Sequence, residues 1–226
     1  MYLSAVLKKG GHSTKLGIIG GDMDIGQVVA DYKPDVLSAS VMTGSHIEFM
    51  KLASELKKRH KFMTMMGGSH PTFHPEVLSE FEDADFVVQG EAEEAVLELA
   101  NALQNGTDTT QIKNIWTKKD GKIYKTEMRN LAQDIDTVPF PDRELVYEHP
   151  LWLKQPIRHF IACRGCAYRC TYCFNNAIAE VYKGKGMWVR WRAVDKVVAE
   201  VKEVLQKYGG KFVYFQDDIF IMDKKW

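Results

Sequence analysis

All four cysteines of this 226-residue chain, Cys163, Cys166, Cys170 and Cys173, fall within one eleven-residue stretch. A disulfide framework spreads its cysteines so that each bridge closes a useful loop, and thiols this close together close almost none. The cluster therefore reads as metal chemistry in a reducing compartment, on a loop that the rest of the chain must present. Composition adds mainly exclusions. Hydrophobic residues make up 45% and charged residues 27%, as in ordinary globular domains. Thirty basic residues balance thirty acidic ones, so no footprint for a polyanion exists and nucleic acid is a poor partner. Neither a long apolar run nor a signal peptide is visible, and the expectation is a cytoplasmic protein without a membrane segment.

The organisation reads as α/β. Residues 1–104 alternate strands and helices. The expected strands are Leu16–Ile19, Val36–Val41, Phe62–Met66 and Phe86–Val88, apolar on both faces as buried parallel strands should be. Phe49, Leu52, Ala53 and Leu56 repeat at helical spacing, as do Ala92, Ala95, Val96, Leu99 and Leu103. Leu3, Val6 and Leu7 predict a helix at the very start, stopped by Lys8-Lys9-Gly10-Gly11. A doubly wound domain begins with a strand, so its first strand is expected to be missing here. Residues 105–156 hold a hairpin (Ile115–Lys118, Asp120-Gly121, Lys122–Thr126) and a stiff Pro139-Phe140-Pro141 connector. Residues 157–226 resume with a strand at Ile157–Ala162, a long helix through Val194–Tyr208 and a strand at Phe212–Phe215. Two parallel strands cannot bury their own faces, so this second domain is expected to be incomplete.

The cysteine gaps are the sharpest signal. Cys166-x3-Cys170-x2-Cys173 offers three soft thiolates on a loop able to wrap a compact iron–sulfur cube, leaving one iron with an open position. Including Cys163 gives a four-thiolate site suited to electron transfer, and zinc is a further option. Cys163 otherwise reads as a small buried side chain at a strand end. Arg164 and Arg169 either moderate cluster charge or are solvated.

This loop, with Tyr172 just before the last cysteine, resembles the signature of radical S-adenosylmethionine enzymes. The resemblance implies a [4Fe-4S] cluster on Cys166, Cys170 and Cys173, whose free iron chelates S-adenosylmethionine. It implies that Tyr172 packs near the adenine and that Asp217 or Asp218, after the next strand, contacts the cofactor; a plain strand-capping turn is the other reading of that pair. It also implies that residues 157–226 begin a partial TIM-type (β/α) barrel.

Nearly the whole chain resembles the cobalamin-dependent branch of that family. Asp35–Ser40, Gly67-Gly68-Ser69-His70-Pro71-Thr72, Val87–Glu93 and Pro139–Arg143 bear the likeness. It implies that residues 1–104 form a Rossmann-like (flavodoxin-like) cobalamin-binding domain, with Ser40, Gly67 and Gly68 lining the space for the cofactor's nucleotide tail. Glycines there let a bulky ligand approach the backbone. The Asp-x-His-x-x-Gly motif that supplies a cobalt ligand elsewhere is absent. His70 is either a ligand or relay, or a loop-orienting residue; Glu91 and Glu93 suit a helix's first turn. Met63–Met66 reads as buried strand packing. The implied activity is reductive cleavage of S-adenosylmethionine, most often for methyl transfer to unactivated carbon or phosphorus of a small, natural-product-like substrate. An external donor such as flavodoxin or ferredoxin supplies the electron. Two alternatives stay open: a non-catalytic cobalamin-binding or electron-transfer module with a four-cysteine cluster, and a radical enzyme whose first domain binds no cobalamin.

Overall fold

The computed structural model describes residues 1–19 and 23–226. The chain falls into two compact units, one spanning Val6–Arg129 and the other Asn130–Trp226 together with Met1–Ala5.

The first unit is built on a five-stranded sheet. After α1 (Tyr2–Lys9) and α2 (Ile25–Tyr32) come β1 (Val36–Ser40), α3 (Ser45–Lys57), β2 (Met63–Gly67), α4 (Ser69–Phe73), α5 (Val77–Glu80), β3 (Phe86–Val88), α6 (Glu93–Asn105), β4 (Ile115–Lys119) and β5 (Lys122–Tyr124). Strand order is β1-β2-β3-β4-β5. The first three strands are parallel, with Val36 opposite Met63 and Met65 opposite Phe86. β4 pairs antiparallel to β3 and to β5. The sheet is therefore mixed, which corrects the expectation of a purely parallel one. The expected hairpin forms, and its first strand extends this sheet.

Side-chain alternation along the strands sorts the core into two layers. On one face Met66, Val87 and Trp116 meet Phe49 and Met50 of α3 and Leu78 of α5. On the other, Met65, Phe86, Val88 and Ile115 meet Ala95, Val96 and Leu99 of α6. The methionines are strand packing, as expected. Two strand expectations fail. Leu16–Ile19 forms no strand, because extended chain becomes a strand only through a hydrogen-bonded neighbour. β1 is an edge strand, and Ser38 and Ser40 on it are exposed rather than buried.

The second unit comprises a 3-10 turn at Ile135–Thr137, then α7 (Glu144–Tyr147), α8 (Pro150–Leu153), β6 (Ile157–Phe160), β7 (Cys163–Arg164), α9 (Phe174–Val181), β8 (Arg190–Trp191), α10 (Val194–Tyr208) and β9 (Phe212–Phe215). β6 and β9 run parallel, and β7 and β8 form a separate antiparallel pair. Among the described residues no barrel closes. Phe160, Tyr147 and Val204 make the apolar centre, flanked by Val201, Tyr208 and Phe215.

Two arginines shape this unit. Arg158, buried within β6, donates to the carbonyls of Tyr208 (2.8 Å) and Gly209 (3.0 Å) at the end of α10. It also reaches Leu153 (3.0 Å) and Gln155 (2.5 Å). Carbonyls orphaned at a helix end thus find a donor. Arg143, closing the Pro-rich connector, donates to the His159 carbonyl (2.7 Å) and to Glu200 of α10 (2.6 Å). Glu200 is 2% exposed and accepts from Arg192 through its other oxygen (2.5 Å).

Candidate functional site

The cysteine loop leaves β6 and enters α9. Asp217, just after β9, accepts hydrogen bonds from the Ala162 N–H (2.9 Å) and the Cys163 N–H (2.5 Å). The position expected to contact a cofactor is therefore engaged in holding the strand end from which the loop departs. Asp218 accepts from Asn175 in α9 (2.8 Å), so the two neighbours brace the two ends of the loop.

The four thiols are all free, and they differ sharply in environment. Cys163 is buried, Cys166 and Cys173 are half-buried, and Cys170 is exposed. Burial, followed by the hydrogen bond and charge of Asp217, pushes the Cys163 thiol up to about 12. Burial and the contact with Asp217 set Cys163 apart from the other three. The other three stand at the edge of solvent, at gaps of three and two residues. Tyr172 is 91% exposed. Among the described residues, no three His, Cys, Asp or Glu side chains converge closely enough to grip a metal ion. The loop is an open ligand set, in which donor chemistry and accessibility fit a three-thiolate cluster. Arg169 pairs with Glu180 of α9 (2.5 Å), while Arg164 lies over the Tyr2 ring at 5.5 Å.

A second site is formed by the carboxyl ends of the three parallel strands in the first unit, where such sheets place their ligands. The chain turns there at Val41–Gly44, Gly67–Ser69 and Gln89–Glu91. These turns are cross-linked. The Val41 N–H donates to the Gly67 carbonyl (2.8 Å), and the His70 N–H to the Val41 carbonyl (3.2 Å). Thr72 donates to the Gly68 carbonyl (2.7 Å) and accepts from the Gly90 N–H (2.9 Å). Asn114, buried at the start of the hairpin, donates to the carbonyls of Gln89 (2.8 Å) and Glu91 (3.0 Å). Asn114 escaped notice in the sequence, and Thr72 entered only as the end of the Gly67–Thr72 segment, because neither residue type at those positions has a pattern of its own.

The glycine pair divides its work. Gly68 has φ +95°, and a β-carbon there would lie 2.7 Å from the Ser40 hydroxyl and 2.9 Å from the Val41 backbone. At Gly67 a β-carbon would meet only Val88, at 3.9 Å. Gly68 is thus demanded by the fold, and Gly67 leaves room beside an exposed Ser40. His70 is 9% exposed and stacks on His46 with centroids 3.8 Å apart. Its Nδ1 meets Thr43 Oγ1 at 3.0 Å, which favours the loop-orienting role. Its Nε2 has no hydrogen-bond partner among the described residues. Burial first, then the neighbouring His46 and His74, hold its pKa below the ordinary 6.5.

Comparison with known proteins gives this arrangement its class. Residues 1–100 match the B12 binding domain family. The chain has an amino-terminal cobalamin-binding domain, and its fold is related to that of cobalamin-dependent radical S-adenosylmethionine enzymes. Among solved structures, OxsB with aqua-cobalamin and S-adenosylmethionine bound superposes with a TM-score of 0.76 at 20% identity, over 97% of this chain and 31% of that one. The tryptophan-bound methyltransferase TsrM from Kitasatospora setae gives 0.70 at 18% identity, over 98% and 45%.

Among curated proteins, an uncharacterized methyltransferase of Pyrococcus horikoshii is 30% identical over 89% of this chain and 43% of its own length. The anaerobic magnesium-protoporphyrin IX monomethyl ester cyclase of Rubrivivax gelatinosus is 26% identical, over 100% and 42%. The cytidylyl-2-hydroxyethylphosphonate methyltransferase of Streptomyces wedmorensis is 23% identical, over 96% and 50%. The chain thus spans half or less of the length of these relatives. No helix among the described residues is long and apolar enough to cross a membrane.

Proposed function

We propose that this chain serves in a cobalamin-dependent radical S-adenosylmethionine enzyme that transfers a methyl group to an unactivated carbon or phosphorus of a small substrate. The observation that carries the reading is the asymmetry of the cysteine loop: Cys166, Cys170 and Cys173 reach solvent while Cys163 is buried. Three ligands suit a four-iron cluster with one open corner, where S-adenosylmethionine binds. When bound, the cluster supplies the electron that splits the sulfonium, and cobalamin supplies the methyl carrier. The chain's own residues bind and orient. Asp217 and Asp218 keep the loop ends in place, with Asp218 free to contact the cofactor through its second oxygen. Tyr172 is available to cover the adenine. Ser40 and Gly67 line the space for the cobalamin tail, and Gly68 closes its wall.

In this reading residues 1–104 bind cobalamin, 105–156 connect, and 157–226 begin a partial (β/α) barrel. An external donor such as flavodoxin or ferredoxin supplies electrons, in the cytoplasm. Methyl transfer as the reaction is supported by two methyltransferases among the relatives; the cyclase relatives make ring formation the second outcome to test.

Anaerobic assembly with iron and sulfide tests the ligand set. Cys163→Ala is expected to retain the iron and sulfide of the parent, and Cys170→Ala to lose the cluster. Adding S-adenosylmethionine should alter the electron paramagnetic resonance spectrum of the reduced protein. A cluster that requires Cys163 and ignores S-adenosylmethionine would establish four-thiolate electron transfer instead.

A further inference from the structure

We propose that Asn114 is a positioning residue for cobalamin, holding the Gln89–Glu91 turn in the shape that receives it; this rests on the reading that cobalamin sits at the carboxyl ends of β1, β2 and β3.

Among the described residues, the non-glycine positions with positive φ are Lys33, Asn114 and Asp120. Lys33 ends α2 and Asp120 turns the hairpin, both on the surface. Asn114, at φ +72°, is instead 2% exposed. A left-handed backbone suits glycine best, so an asparagine kept there in the core needs a reason. Its hydrogen bonds supply one. The side-chain amide donates to the turn after β3, at the carbonyls of Gln89 (2.8 Å) and Glu91 (3.0 Å). Its Oδ1 accepts from the Arg129 N–H (2.7 Å). The Asn114 carbonyl accepts from the Gln89 N–H (2.8 Å), and the Asn114 N–H donates to the Glu127 carbonyl (3.0 Å). Every polar group of the residue is engaged, and glycine could supply only the backbone pair.

The same turn is held from the other side. Thr72 Oγ1 accepts from the Gly90 N–H (2.9 Å) and donates to the Gly68 carbonyl (2.7 Å). Gly90 has φ +67°, a residue that left alone would sample many shapes. Thr72 and the turn lie within residues 1–100, which match the B12 binding domain family. Asn114 lies beyond them, at the start of the hairpin that extends the sheet. The hairpin thus braces the ligand site from outside the matched domain. A turn ordered in advance spares cobalamin the cost of ordering it on binding.

Asn114→Gly suits the left-handed backbone and removes the amide. With hydroxocobalamin as the probe and corrinoid absorbance as the readout, its dissociation constant should rise about tenfold, the scale of ordering a loop that is no longer held. Thr72→Val removes the opposite support and should act in the same direction. Thr64→Val controls for stability: it loses a buried hydroxyl bonded to the Asp83 carbonyl, near the amino end of β2. It should lower the urea midpoint and leave the affinity unchanged. Hydrogen exchange on the parent needs no substitution. The Gln89 and Gly90 amides should exchange slowly before hydroxocobalamin is added and more slowly after. Parent affinity in both Asn114→Gly and Thr72→Val would overturn the inference, as would an equal loss in Thr64→Val. Fast exchange of the two amides before addition would overturn it as well. A parent that binds no hydroxocobalamin would refute the site itself, and this inference with it.

Discussion

Adjacent glycines in the first unit answer to different masters. At Gly68 the left-handed backbone and the close approach of Ser40 and Val41 leave no room for a side chain. Gly68→Ala is expected to destabilise the first unit by about 1–3 kcal/mol, read by urea unfolding. Gly67→Ala meets only an ordinary contact with Val88. It should leave stability unchanged while weakening cobalamin binding, followed by corrinoid absorbance. His70 gives a pH dependence. Its folded pKa lies below 6.5, through burial and the facing His46 and His74, against the opposing pull of Glu80. Between the two values the unfolded chain holds the extra proton. Stability should therefore fall as pH drops through 6.5 and level off below the folded value. His70→Gln should flatten that acid-side slope in urea titrations; an unchanged slope would assign it to other groups. None of this division was legible in the sequence, where Gly67-Gly68 and His70 form one motif. Positive φ and the neighbour across β1 exist only in three dimensions.

At the scale of elements, periodicity told most. The apolar repeat located α3, α6 and α10, and short apolar runs located β2, β3 and β9 within a residue or two of their ends. Elements of four or five residues, such as α4 and α5, span too little chain to display a period. The β7–β8 pair was missed for a related reason: two residues per strand hold no alternation, yet this pair frames the cysteine loop. The buried Arg143–Glu200–Arg192 set was equally hidden, because a charge on an amphipathic helix reads as a solvated face. Neutralising its centre leaves the buried Arg143 guanidinium without its carboxylate and Arg192 with only the more distant Asp136, at 3.8 Å. Glu200→Gln should cost about 3–5 kcal/mol.

Across the whole molecule, the division into two units makes that cost observable in place. Four of the five tryptophans, Trp152, Trp188, Trp191 and Trp226, lie in the second unit. The Glu200→Gln loss should appear as an earlier fluorescence transition in urea, with Trp116 alone reporting the first unit. What the sequence by itself determined is the chemistry of its most local signal. Spacing placed three cysteines on one loop, and the ends of parallel strands were readable from glycines after apolar runs. Tertiary structure decided which members of each cluster are available. It buried Cys163 against Asp217, turned Asp217 toward the backbone, joined the hairpin to the first sheet and left Leu16–Ile19 without a strand partner. The reason is physical: ligand spacing along a chain is covalent and local, whereas burial, protonation and strand pairing depend on neighbours distant in sequence.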